Sequence, residues 1–214
     1  MNIKLGSYED MKGNLHVRVV DVAANREKLE KVLSKPVGCG YALVPYLALP
    51  ELPGGIINIP KDFPGHVGMD AEAIFEDAMN TASEKDKPTL RPILEALYGN
   101  TDINLLEKDA PDLTDEMYVL TTSDGRLGAA ALFYPGMEEK IREILGVNYY
   151  VLPSSVHEVL IVPEIGKDPE ILLRMVTEVN AAEVALEDRL GDRVLYWDGQ
   201  KFQVYEDERE EVSA

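Results

Sequence analysis

Cysteine is nearly absent from this chain. Cys39 is the only one in 214 residues, so no internal disulfide can form, and a reducing compartment is expected. Long apolar runs are missing too. Nothing approaches the roughly 20 residues of a membrane-spanning helix, and the opening MNIKLGSYED has no apolar signal-peptide core. These absences give the expectation of a cytoplasmic protein that does not bind membranes. Positive charge is scarce: 21 Lys and Arg stand against 39 Asp and Glu, a formal net charge of −18. So acidic a body repels phosphate backbones, which disfavours nucleic acid and would suit a basic protein partner. The one dense basic stretch, NREKLEK, alternates Arg26, Lys28 and Lys31 with Glu27 and Glu30, as a salt-bridged helix face does.

What is there suffices for a core, with 45% hydrophobic and 28% charged residues. NLHVRVVD alternates Leu15, Val17, Val19 with His16, Arg18, Val20, a strand pattern. ANREKLEKVLSKP predicts a helix capped by Asn25, with Leu29, Val32 and Leu33 on one face. YALVPYLAL and GGIINIP predict strands, and Pro45 predicts an edge or bulge position for the first. MDAEAIFEDAMNTA predicts a helix capped by Asp70, with a stripe of Ile74, Phe75, Ala78, Met79 and Ala82. A short helix ends near Gly99, and the polar stretch over 100–116 reads as a connection between two halves.

The second half opens with MYVLTTSDGRLGAAALFYP, whose two apolar runs around Asp124-Gly125 predict a β-hairpin. GMEEKIREILG predicts a helix, NYYVLP and VHEVLIVP two strands, and DPEILLRMVTEVNAAEV a helix with Asp168 as cap and Pro169 in its first turn. RVLYWDGQKFQVY predicts a hairpin on Asp198-Gly199, and 206–214 an acidic disordered tail. The fold class is α+β, with a mixed, mostly antiparallel sheet and packed helices. The halves are 1–100 and 117–205. Both contain helix, strand, strand, helix, and Ile74–Ala82 spaces its apolar residues as Ile171–Val179 does. This predicts that Asn25–Ala82 superimposes on Met137–Glu183 with the same strand pairing.

The C-terminal strings YVLTT, GAAALFYP, YYVLPSSVHEVLIVPE, MVTEVNAAEVALEDRL and VLYWDGQKF, within 117–204, resemble an uncharacterised bacterial family of unknown function marked by an LPSSxHEVxxxPE-type signature. YEDMKGNLHVRVVDVAANREKLEKV and AEAIFEDAMNTA resemble its preceding region. The resemblance implies an intracellular bacterial protein, and a further N-terminal segment in other members. It brings no catalytic roles.

Within Leu152–Glu164, the residues Ser154, Ser155, His157 and Glu158 have the types of a hydrolytic site. A serine nucleophile needs a base and an oxyanion hole, and the Gly-x-Ser-x-Gly elbow is absent. On an extended strand His157 and Glu158 point to opposite faces. Ser155 and His157 share a face about 6.6 Å apart, two steps of about 3.3 Å, which is long for a hydrogen bond. The reading that accounts for every residue is a turn at Pro153-Ser154-Ser155 and a strand from His157 to Val162. Zinc is not indicated, because position 161 is Ile where a His-Glu-x-x-His site needs its second histidine. His16 and His66 lie far off in sequence.

Cys39 between Gly38 and Gly40 reads as a small residue entering a strand, GGIINIP lacks the lysine of a phosphate loop, and Tyr41, Tyr46, Tyr149 and Tyr150 read as strand packing. The leading functional expectation is a non-enzymatic protein acting through protein contacts, with no cofactor, metal, membrane or nucleic acid. The alternatives are a hydrolase using Ser154 or Ser155 with His157, and an acidic DNA mimic. The mimic needs carboxylates in rows, whereas the acids here are scattered among Lys and Arg.

Overall fold

The computed structural model describes residues 7–99, 103–107, 117–153 and 155–205. The expected tail at 206–214, most of the connection at 100–116, and Ser154 lie outside the described residues. The chain forms two compact units, Met1–Lys87 and Pro88–Ala214. Helices and antiparallel sheets make an α+β fold, and every described ladder is antiparallel, so the sheets are not mixed.

The first unit runs α1 (Tyr8–Lys12), β1 (Leu15–Asp21), α2 (Arg26–Leu29), β2 (Lys35–Gly38), β3 (Tyr41–Ala48), β4 (Ile56–Asn58), α3 (Phe63–Val67) and α4 (Ala71–Lys85). Its sheet has the order β1-β3-β2, with β4 also on β3. β3 is therefore central, contrary to the edge position that Pro45 predicts. The reason is local. β2 pairs with 41–43 and β4 with 46–48. Pro45 O accepts from Ile59 N, so its donorless nitrogen faces the seam between the two half-strands and no ladder bond is lost. The helix predicted after Asn25 is one turn only. Leu33 N donates to Ile59 O and Lys61 N to Lys31 O, drawing the chain into a bridge at Val32↔Pro60. Asn25 does not cap with its side chain, which donates to Asp21 O instead. α4 starts on the Asp70 cap and buries Ile74, Phe75, Ala78 and Ala82.

The second unit runs β5 (Pro88–Pro92), α5 (Ile93–Leu97), β6 (Tyr118–Thr122), a 3-10 segment (Gly128–Phe133), α6 (Met137–Leu145), β7 (Tyr149–Leu152), β8 (Val159–Pro163), α7 (Pro169–Glu183), a 3-10 turn (Leu186–Asp188), β9 (Val194–Trp197) and β10 (Phe202–Tyr205). The six strands take the order β10-β9-β7-β8-β6-β5. β5 pairs with β6 across the expected boundary, so the division falls at 87/88 and not within 100–116. Asn104 secures the outer edge of β5: its Oδ1 accepts from Leu90 N at 3.1 Å and its Nδ2 donates to Pro88 O. An edge strand is thereby covered.

Of three further expectations, one holds and two change. Gly128–Phe133 is 3-10 helix, not the second arm of a hairpin, because β6 already has β5 and β8 on its two sides. The hairpin on Asp198-Gly199 does form, with Trp197 opposite Phe202 and Asp198 Oδ1 accepting from Gln200 N and Lys201 N. The two units do not share strand order. Among the described residues β8 pairs with both β7 and β6, while β4 pairs with β3 alone. The predicted superposition with equal pairing is overturned, since amphipathic helices alike in spacing pack on sheets of any order.

Alternation on β7 sorts the second unit's core. Tyr149 faces α6, its hydroxyl donating to Glu138 O. Leu152, Val162 and Val194 meet Leu172 and Val176 of α7. Full burial of each such side chain contributes about 1.5–3 kcal/mol. Half-buried Glu138 opposes this. Burial raises its carboxyl above the usual glutamate range, its own backbone N–H pulls the other way, and Glu139 adds repulsion. A carboxyl raised in the folded state loses stability as pH rises from the unfolded value through the folded one. Glu138→Gln is thus expected to be neutral at pH 3 and stabilising at pH 7, read from urea midpoints at both.

Candidate functional site

The structure places His157 and Glu158 ahead of β8, which starts at Val159, so the strand predicted from His157 begins two residues late. The ladder with β6 stops at Leu120↔Val159. Beyond it the Thr121 hydroxyl donates to His157 O at 2.8 Å, replacing a backbone bond and bending the chain. Ser155 Oγ accepts from the backbone N–H of His157 at 3.0 Å, a local turn bond. The imidazole is held from both sides. Leu127 N–H donates to Nδ1 at 3.2 Å, and Nε2 lies 3.6 Å from Asp188 Oδ1. Leu127 reaches it from a left-handed conformation, φ 52°.

Nδ1 must be an acceptor there, which puts the proton on Nε2, toward Asp188. A hydrolytic base needs a free lone pair aimed at a serine hydroxyl. The Nδ1 lone pair is taken by Leu127, and no hydrogen bond joins Ser155 Oγ to the ring among the described residues. Glu158 is exposed. The arrangement braces a loop: Val156 N donates to Asp188 O, and Ala129 N to Val156 O.

Other sequence candidates fall as follows. Cys39 does not enter a strand. With Gly40 it makes the two-residue β2–β3 turn, φ 51° and 79°, as a type I′ turn requires. His16 lies 2.5 Å from Asp86 and stacks on Tyr46, while His66 bonds Asp62 O. Among the described residues no three His, Cys, Asp or Glu are grouped to hold a metal ion, and no helix is long and apolar enough to cross a membrane. Tyr41 and Tyr149 are buried strand residues.

Tyr150 differs. It shares a sheet face with its β9 partner Tyr196, which lies opposite Gln203 on β10. α7 covers the β7–β8 side of that face, leaving a cleft of about 380 Å³ lined by Tyr150, Tyr196, Tyr205, Val204, Pro169 and Glu170. Tyr196 is anchored behind. Its hydroxyl donates to Glu164 Oε2 at 2.5 Å and accepts from Asn148 Nδ2 at 3.1 Å. Asn148 Oδ1 in turn accepts from Arg142 Nε. The bond to Glu164, then burial, raises the Tyr196 hydroxyl above the usual tyrosine range. Burial first, then the charge of Glu164, does the same for Tyr150. Sequence reading missed this cleft. Tyr196 and Tyr205 join Tyr150 only through strand register, and the sole signal was a tyrosine in each of three strands.

No curated protein and no solved structure matches the chain. A family model, described as a family of unknown function (DUF5688), matches residues 1–199. With nearly its whole length matched, the chain belongs to that family.

Proposed function

We propose that the protein is a non-enzymatic, cytoplasmic bacterial protein that works by docking on a basic protein partner, and that it binds neither nucleic acid nor membrane. The observation that carries this reading is the outer flank of α7. Ile171 is 53% and Val179 42% exposed, two turns apart on one side of the helix, and Leu186 just beyond is 79% exposed. The buried stripe is Leu172, Val176 and Asn180 instead. Apolar side chains turned outward along a helix, within a chain of net charge −18, suit a partner whose apolar contact is ringed by Lys and Arg.

The test is capture of partners from native lysate at low and high salt by the wild type and by an Ile171→Glu, Val179→Glu variant, beside a DNA mobility-shift assay. The variant is expected to keep its fold, since exposed sites away from special features change stability by about 0.5 kcal/mol or less, and to lose the partner by about tenfold or more. Equal capture by both proteins, or a DNA shift at physiological salt, contradicts the reading.

A further inference from the structure

We propose that the cleft walled by Tyr150, Tyr196 and Tyr205 receives a lysine or arginine side chain of a basic protein partner. This rests on the docking reading and adds to it a place and a chemistry. The rings come first. Tyr150 and Tyr196 are cross-strand partners with centroids 5.1 Å apart and planes tilted by 43°. Tyr205 adds a third ring on β10. Aromatic faces carry the negative lobe of the ring quadrupole and attract cations.

The charge lining the cleft has one sign. Among its described lining residues there is no lysine or arginine, and Glu170 is the one formally charged side chain. Glu164 stands behind Tyr196 and accepts its proton-bearing hydroxyl. That bond moves electron density toward the phenol ring and strengthens its pull on a cation. After burial, the groups that hold the Tyr150 hydroxyl high are Glu164, Tyr205 and Asp168. A field that resists a phenolate favours an ammonium or guanidinium.

An anion is the wrong occupant, although α7 begins at the cleft. Its terminal donors are used or missing. Pro169 has no N–H, Glu170 N donates to the Asp168 carboxylate at 2.9 Å, and Ile171 N and Leu172 N donate to Asp168 O. Pro169 and the ring of Tyr205 offer apolar surface to the stem of a long basic side chain. The chain of bonds from Arg142 through Asn148 to Tyr196 holds the ring before any ligand arrives, which lowers the ordering cost of binding.

The test uses the full chain with isotope-labelled tyrosine rings. It is titrated with acetyl-Gly-Arg-Gly-amide, acetyl-Gly-Lys-Gly-amide and the neutral acetyl-Gly-Gln-Gly-amide. The Arg and Lys peptides are expected to shift the Tyr150, Tyr196 and Tyr205 signals with dissociation constants on the order of millimolar, and the Gln peptide to leave them in place. Gln203 lines the cleft from the outermost strand, is exposed, and lies opposite Tyr196 on the same sheet face, so Gln203→Lys keeps the fold, seen as an unchanged spectrum elsewhere. It sets a cation in the cleft mouth and is expected to weaken both basic peptides by about tenfold or more. Glu164→Gln is expected to weaken them by about threefold. Absence of shifts at millimolar basic peptide, or equal shifts with the Gln peptide, overturns the proposal. So does a protein partner held equally by wild type and Gln203→Lys but lost by the α7 variant, a result that leaves the docking reading standing.

Discussion

Replacing Gly128 with alanine is expected to destabilise the second unit by about 3 kcal/mol or more, the upper end for overpacking a core. A Cβ at position 128 would meet Thr122 N at 2.6 Å and His157 O at 2.7 Å, with Thr121 Oγ1 also in contact. Two of these atoms are backbone, in β6 and in the loop before β8, and cannot rotate aside. Moving the third breaks the Thr121–His157 bond that bends the chain out of the ladder. One methyl group therefore strains the join between the 3-10 segment and the sheet and loosens the loop that holds His157. Urea unfolding followed by near-ultraviolet circular dichroism measures it, Trp197 reporting on this unit. A change under about 1 kcal/mol would mean that the 3-10 segment does not sit against β6 so closely.

Asn180→Asp is expected to cost about 3–5 kcal/mol at neutral pH, the range for a buried charge without a partner. Asn180 is fully buried, and its Nδ2 donates to Gly191 O at 3.2 Å and to Asp192 Oδ1 at 2.7 Å. Aspartate turns a two-proton donor into an acceptor that faces a carbonyl and a carboxylate. Burial and the like charge of Asp192 would raise its folded pKa above the unfolded value. The sign follows. Below the unfolded value both states are protonated and the charge penalty is absent. It grows as pH climbs from there to the raised folded value. The gap between variant and wild type should be wide at pH 7.5 and narrow at pH 4.5, by urea midpoints. An equal gap at both values would show that packing, not charge, makes Asn180 matter.

How much was legible in the residues varies by element. Helices with their own stop and start chemistry were read closely: Asp70 and Asp168 cap as expected, and Asp198-Gly199 turns a hairpin. Such features depend on bonds within a few residues. What failed depended on partners far along the chain. The hairpin at Asp124-Gly125 needed a free neighbour for β6, and β5 and β8 had filled both places. Pro45 looked like an edge residue because the split between β2 and β4 cannot be seen locally. α7 buried Leu172 and Val176 of the expected stripe together with Asn180, and left Ile171 and Val179 at the stripe's ends exposed. Tertiary contact chose the face.

The same distinction holds at the site. Ser155, His157 and Glu158 drew attention as a string, yet the contacts that hold His157 run to Leu127, Thr121 and Asp188, outside the string. The tyrosine cleft had no string at all. It is made by the register Tyr150↔Tyr196 and by the place where α7 begins.

The central claim is that the outer flank of α7 is where a basic partner binds. The most direct measurement is photo-crosslinking in the native cell, with a photoreactive residue at position 179 and, as control, at the exposed Glu84 of α4 in the other unit. The account predicts a discrete adduct from position 179, absent from position 84, whose partner is a basic protein and whose yield falls in Gln203→Lys. No adduct from 179, or the same adducts from both positions, would contradict it.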